Sequence, residues 1–177
     1  MAMRRTRAVL TVLVLSALWS ACGDDEAPPA AAPTGTFDVV TVDYAYRDLP
    51  ESAAVGTELT LSNASPTEVH EAVVIKVNPG EDRPTTELVK LGQDGLSRVA
   101  TLAGVLVAMP GETALAPLGP VVLADPGRYL LLCFIPTGAD PAAFAEAAAE
   151  SRGGPVDVPG GPPHAAQGMF AELRVQS

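Results

Sequence analysis

Several residue types are scarce in this 177-residue chain, and each scarcity narrows what the protein can be. Aromatic residues make up 5% of it, so a core has to be assembled from Val, Leu and Ala, drawn from a hydrophobic share of 47%. Basic side chains number 11 against 21 acidic ones, a net charge of −10 that disfavours nucleic acid and anionic lipid surfaces as direct partners. No catalytic triad, phosphate-binding loop or zinc signature is present, so no enzyme is expected. No internal repeat is visible, and the apolar run Ala8 to Trp19 is too short for a convincing membrane span. Cysteine and histidine each occur twice, as Cys22 and Cys133 and as His70 and His164.

Turning to what is there, the first 22 residues place Arg4, Arg5 and Arg7 ahead of that apolar run, the layout of a secretory signal. The run ends in Trp19-Ser-Ala-Cys22, which resembles a bacterial lipoprotein cleavage site, although that pattern usually has Leu where Trp19 stands. The resemblance implies lipidation of Cys22, a membrane anchor and an extracytoplasmic location. Removing residues 1–22 leaves 8 basic and 21 acidic residues, a balance of −13. Residues 23–35 are acidic and then Pro/Ala-rich without apolar periodicity, as suits a flexible tether.

Residues 36–177 read as one all-β domain. The chain carries 16 Gly and 17 Pro, many of them in clusters that punctuate short apolar runs, a pattern of strands and turns. Strands are expected at Thr36–Tyr46, at Gly56–Ser62, where apolar and polar residues alternate, and at Val69–Val77. Thr85–Leu91 suits a short helix stopped by Gly92. Val99–Met109 follows, then Thr113–Leu123, whose Pro117 and Pro120 confine it to an edge. Tyr129–Ile135 is continuously apolar, as a strand buried on both faces would be. A longer helix is expected at Asp140–Glu150, with Asp140 as N-cap, Pro141 in the first turn, an alanine-rich body and Gly153 to end it. The last strand, Gly168–Val175, puts Met169, Ala171, Leu173 and Val175 on one face. Together these segments predict a Greek-key β-sandwich.

Cys133 would lie in an oxidising compartment with no disulfide partner, since Cys22 belongs to the lipidated terminus. A lone buried cysteine is most often a small hydrophobe, a lone histidine structural, and a lone methionine ordinary core. Here the two histidines and the one cysteine outside the leader all fall on or beside strand-like runs. A thiolate, two imidazoles and a thioether are the ligands of a blue-copper centre.

Three segments carry a resemblance to the cupredoxins, the family of plastocyanin, azurin and amicyanin, and to cupredoxin-like bacterial lipoproteins. They are Asn63-Ala-Ser-Pro-Thr-Glu-Val-His70, Pro126-Gly-Arg-Tyr-Leu-Leu-Leu-Cys133 and His164-Ala-Ala-Gln-Gly-Met169. The resemblance covers residues 36–177 and implies one type 1 copper ion held by His70, Cys133 and His164 in a plane, with Met169 axial. Two features depart from the family. Residues 134–163 intervene between Cys133 and His164, where small electron carriers have only a few, and 137–163 read as an insertion bearing the short helix. Extra loop length costs little, roughly 0.6 kcal/mol per doubling. Glu71 also stands where plastocyanin and azurin have Asn.

The expected function is a membrane-anchored, extracytoplasmic copper protein that transfers single electrons to and from a protein partner. A copper chaperone or store, with the insertion as a lid, is the alternative within copper chemistry. A metal-free interaction module that keeps the fold is the alternative outside it.

Overall fold

The computed structural model describes residues 34–151 and 156–177. The leader, Cys22, the tether up to residue 33 and the expected helix stop at Gly153 lie outside the described residues.

The chain forms a sandwich of two sheets. One contains β1 (Gly35–Val42), β2 (Ala45–Arg47), β4 (Thr57–Asn63) and β7 (Val121–Val122), in the order β2-β1-β4-β7. The other contains β3 (Ser52–Ala54), β5 (His70–Val77), β6 (Ala100–Ala108), β8 (Gly127–Leu132) and β9 (Phe170–Gln176), in the order β3-β9-β8-β5-β6. β1 runs parallel to β4 and β3 parallel to β9, while β5, β6, β8 and β9 pair antiparallel. This is the β-sandwich expected from the alternating segments.

Several elements differ from the sequence expectation. Thr36–Tyr46 is a hairpin rather than one strand: Asp43 and Tyr44 turn between Val42 and Ala45, with Tyr44 at φ 59. Ser65 Oγ donates to Asp43 Oδ1 at 2.6 Å and holds that turn, a tertiary bond invisible in the local sequence. β1 also begins at Gly35, the last residue read as tether. The helical stretch from Thr85 does end at Gly92, whose φ is 65, but a further short helix follows it. α1 (Thr85–Leu88) and a 3-10 turn at Val89–Leu91 precede a separate α2 (Gly92–Leu96), and Leu88 and Leu96 both bury against the sheet. Thr113–Leu123 keeps only the two residues of β7 as a strand. Its earlier part is held through single bridges from Thr113 to Ser62 and from Leu115 to Val107, as its prolines require.

The apolar run before Cys133 explains itself in this setting. Tyr129 and Leu131 enter the core between the sheets with Val39, Leu59, Leu61, Val74 and Leu173. Leu130 and Leu132 face the other way, into a cluster with Leu88, Leu96 and Ile75. Each such side chain contributes about 1.5–3 kcal/mol on burial. β8 is therefore covered on both faces, as its sequence demands.

α3 (Pro141–Ser151) lies in the insertion and starts as expected, with Ala143 N donating to Asp140 Oδ1 at 2.8 Å. Its Phe144 buries into a third cluster with Val69, Cys133, Ile135, Ala139, Val158 and Met169. That cluster closes one end of the sandwich.

Candidate metal centre

The three segments that bear the sequence-predicted ligands meet at that closed end. His70 is the first residue of β5, Cys133 directly follows β8, and Met169 directly precedes β9. Antiparallel register puts these positions at the same end: Val73 pairs with Leu132, and Leu132 with Phe170.

The loop before His70 is shaped by Asn63. Its Nδ2 donates to Glu68 O at 2.8 Å and to Ala108 O at 3.1 Å, while its Oδ1 accepts from Ser65 N at 2.9 Å. One buried amide thus ties the loop to two strands.

The insertion between Cys133 and His164 returns to its starting point through a two-stranded neck. Thr137 N donates to Pro162 O at 3.0 Å, Gly161 N to Thr137 O at 2.8 Å, His164 N to Ile135 O at 2.9 Å and Ala165 N to Cys133 O at 2.7 Å. Gly160 allows the close approach: a Cβ there would lie 2.5 Å from Pro136 Cβ. His164–Gln167 then makes a 3-10 turn, which Gly168 ends at φ 104, a conformation that glycine adopts without strain. Met169 N returns to His164 O at 3.0 Å, and Cys133 N reaches Met169 O at 3.3 Å. The departure from the short loops of small carriers therefore leaves the ligand loop itself closed on main-chain bonds.

One donor atom each from His70, Cys133 and His164 lies within 4.8 Å of the other two, and all three residues are buried. Cys133 Sγ is 3.3 Å from His164 Nδ1. The two imidazoles stand 5.0 Å apart between centroids, tilted by 59°. Met169 is fully buried in the same apolar cluster as Cys133. All four sequence-predicted residues are thus brought to one place, whereas Cys22 lies outside the described residues.

The polar atoms of this centre lack partners. Neither ring nitrogen of His70 has a hydrogen bond, and His164 Nε2 has none either, although Glu68 Oε2 is 3.3 Å away without hydrogen-bond alignment. A buried, unpartnered polar group costs on the order of 1–3 kcal/mol, so such a cluster calls for a bound partner. Burial first, and then the neighbouring His164, push the His70 imidazole down to about 4. Burial likewise lowers His164. Both rings are held neutral, which is the metal-ligating form. Burial, reinforced by the Glu71 carboxylate, pushes the Cys133 thiol well above its ordinary value and leaves it protonated until a cation takes the sulfur. Two neutral imidazoles and a sulfur in a water-poor pocket fit a single type 1 copper ion.

Glu71 keeps part of its surface, yet its carboxylate is densely surrounded. Burial raises it to about 7 against the opposing pull of the Phe134 N–H, which donates to Oε1 at 2.8 Å. Its own N–H points at Cys133 Sγ at 3.5 Å, and its carbonyl accepts from Tyr46 Oη at 2.6 Å. Glu71 thus joins the His70 strand to the Cys133 loop.

Two contributors were missed by the sequence reading. Glu68 approaches His164, and Tyr44 packs edge-on against the same ring at 5.0 Å and 72°. Neither carries a local motif, since each reaches the site through a turn that tertiary contacts shape.

No protein-family model matches the chain, and no curated protein matches it in sequence. Among solved structures, a dithionite-reduced auracyanin from Roseiflexus castenholzii aligns at 16% identity and a TM-score of 0.46, over 83% of this chain and all of that one. Auracyanin A, a "blue" copper protein from Chloroflexus aurantiacus, aligns at 14% identity and 0.41, over 80% of this chain and all of that one. A multicopper oxidase from Campylobacter jejuni aligns at 10% identity and 0.40, over 84% of this chain and 31% of that one.

Proposed function

We propose that residues 36–177 form a mononuclear type 1 copper protein that carries single electrons outside the cytoplasm, held to a membrane through lipidated Cys22. The observation that carries the reading is the burial of His70, Cys133 and His164 with their donor atoms within 4.8 Å and three ring nitrogens unpartnered. Copper bound there would supply a one-electron couple whose two oxidation states share nearly one geometry. The chain's own part is to hold that geometry. Main-chain bonds lock the loop from His164 to Met169, the apolar cluster around Cys133 excludes water, and the Glu71 N–H stabilises charge on the sulfur. Four filled positions leave no open place for a substrate, which supports electron transfer over catalysis.

The test is to add copper(II) to the purified domain and record the visible spectrum. An intense thiolate-to-copper band, absent in Cys133→Ser, is expected. If wild type gives no such band, the reading fails. The anchor is tested separately: Cys22→Ala should release the protein from membranes and abolish incorporation of labelled fatty acid.

Copper handling is the second reading, and one observation favours it. His164 has no exposed surface, so the histidine edge is covered. Very tight copper(I) binding without reversible redox cycling would favour a chaperone or store over an electron carrier. A metal-free interaction module is the third reading, and the unpartnered histidines weigh against it; metal analysis of protein isolated from its native membrane distinguishes it.

A further inference from the structure

Among the described residues, one carboxylate outside the four candidate ligands lies against a candidate ligand's outer edge. Glu68 Oε2 lies 3.3 Å from His164 Nε2, and no other polar atom partners that buried nitrogen. The same carboxylate accepts from two further elements: Oε2 from Gly138 N at 3.1 Å, at the start of the insertion, and Oε1 from Tyr44 Oη at 3.3 Å, in the β1–β2 turn. Glu68 is mostly buried and its position is determined from three directions.

We infer that Glu68 is a positioning residue for His164, holding the proton on Nε2 so that the Nδ1 lone pair faces Cys133. The reasoning is one of donors and acceptors. An ionised carboxylate only accepts, so the nitrogen facing it carries the hydrogen. The other nitrogen, Nδ1, is then the one with a free lone pair, and it sits 3.3 Å from Cys133 Sγ, on the donor side of the centre. A carboxylate on the outer nitrogen of a ligating histidine fixes the tautomer and raises the basicity of the inner one. Because Glu68 also accepts from Gly138 and Tyr44, the orientation of His164 is coupled to the chain at Gly138 and to the β1–β2 turn. Sequence spacing gave no sign of this, since Glu68 reaches His164 across the end of the sandwich.

The inference rests on the copper reading for its consequence, and its first test does not require metal. Nitrogen-15 NMR of the His164 ring in the metal-free protein should show the Nε2–H tautomer in wild type. In Glu68→Gln, which keeps the shape and one of the two acceptor oxygens but loses the charge, it should show a mixture. A wild-type Nδ1–H tautomer, or an unchanged ring in the variant, overturns the proposal. The second test compares copper(II) and copper(I) affinities. Glu68→Gln should weaken copper(II) binding about tenfold with little change for copper(I). That ratio corresponds to a reduction potential about 59 mV higher for one electron. Equal loss of both affinities would mean a merely structural role and would also overturn it. A wild type that takes up no copper yet shows the Glu68-dependent tautomer sinks the functional reading and leaves the positioning role standing.

Discussion

The two ends of the five-stranded sheet are built on opposite principles, and the same three strands connect them. β5 runs from His70 to Val77, β8 from Arg128 towards Cys133, and β9 from just after Met169 to Arg174 and beyond. At the far end, polar groups are paired with one another. Arg128 donates to Glu172, to Thr85 Oγ1 at 2.8 Å and to Arg83 O at 2.7 Å, while Lys76 pairs with Asp125 at 3.0 Å. Arg83 and Glu81 form a further pair. At the near end, His70 is buried with no partner at all. One end pairs its polar side chains throughout, and the other leaves three imidazole nitrogens without a partner among side chains that otherwise brace the fold.

The contrast is broken most strongly by supplying those nitrogens with a ligand. Copper at a thousandfold its Kd should raise the stability of the wild-type domain by about 4 kcal/mol, read as a higher Tm. Cys133→Ser should forfeit most of that gain. A wild-type Tm that ignores copper would remove the reason for the near end's design.

The neck of the insertion gives the next effect. Gly160→Ala drives a methyl group towards Pro136 Cβ and Thr137 O, neither of which yields easily. A loss of about 1–3 kcal/mol is expected on denaturant unfolding. The copper spectrum should broaden, because the same neck delivers His164.

A matched pair of substitutions then sharpens the comparison by sign. Arg128→Leu removes several hydrogen bonds from a mostly buried guanidinium and should cost about 2 kcal/mol while leaving the copper spectrum unchanged. His70→Leu removes two unpartnered buried nitrogens and should leave the metal-free protein equally stable, or more stable by about 1 kcal/mol, while abolishing copper binding. Equal destabilisation by both changes would mean that the two ends do not differ in kind.

The smallest effect is in acid. Hydrogen bonds from Arg83 hold the Glu81 carboxyl down at about 2, from an ordinary value of 4.5. Because its folded value is depressed, its contribution is present above pH 4.5 and lost as pH falls towards 2. Glu81→Gln should flatten a slight slope of stability across that window in low salt. No flattening would show that the Arg83–Glu81 pair contributes nothing measurable.

The strands were legible where burial on one or two faces leaves a pattern. β4 alternates, β8 is continuously apolar, and α3 is announced by Asp140-Pro141 and its alanines. The turn at Asp43-Tyr44 was not legible, because a hydroxyl from Ser65, over twenty residues away, holds it. The second short helix that follows Gly92, α2, was also hidden, since it is the sheet surface under Leu96 that favours it. The same division applies to the site. His70, Cys133, His164 and Met169 are few, chemically distinctive and placed beside strand-like runs, and the resemblance of their segments to the cupredoxins singled them out as a set.

The sequence by itself determined the β-sandwich and offered the candidate donors, because residue chemistry and the alternation of apolar residues are local properties. Tertiary structure decided whether the donors meet, that the long insertion closes on a neck of main-chain bonds, and that Glu68 and Tyr44 stand over His164. Those outcomes depend on contacts between segments distant in the chain, and no window of sequence encodes the distance between two loops.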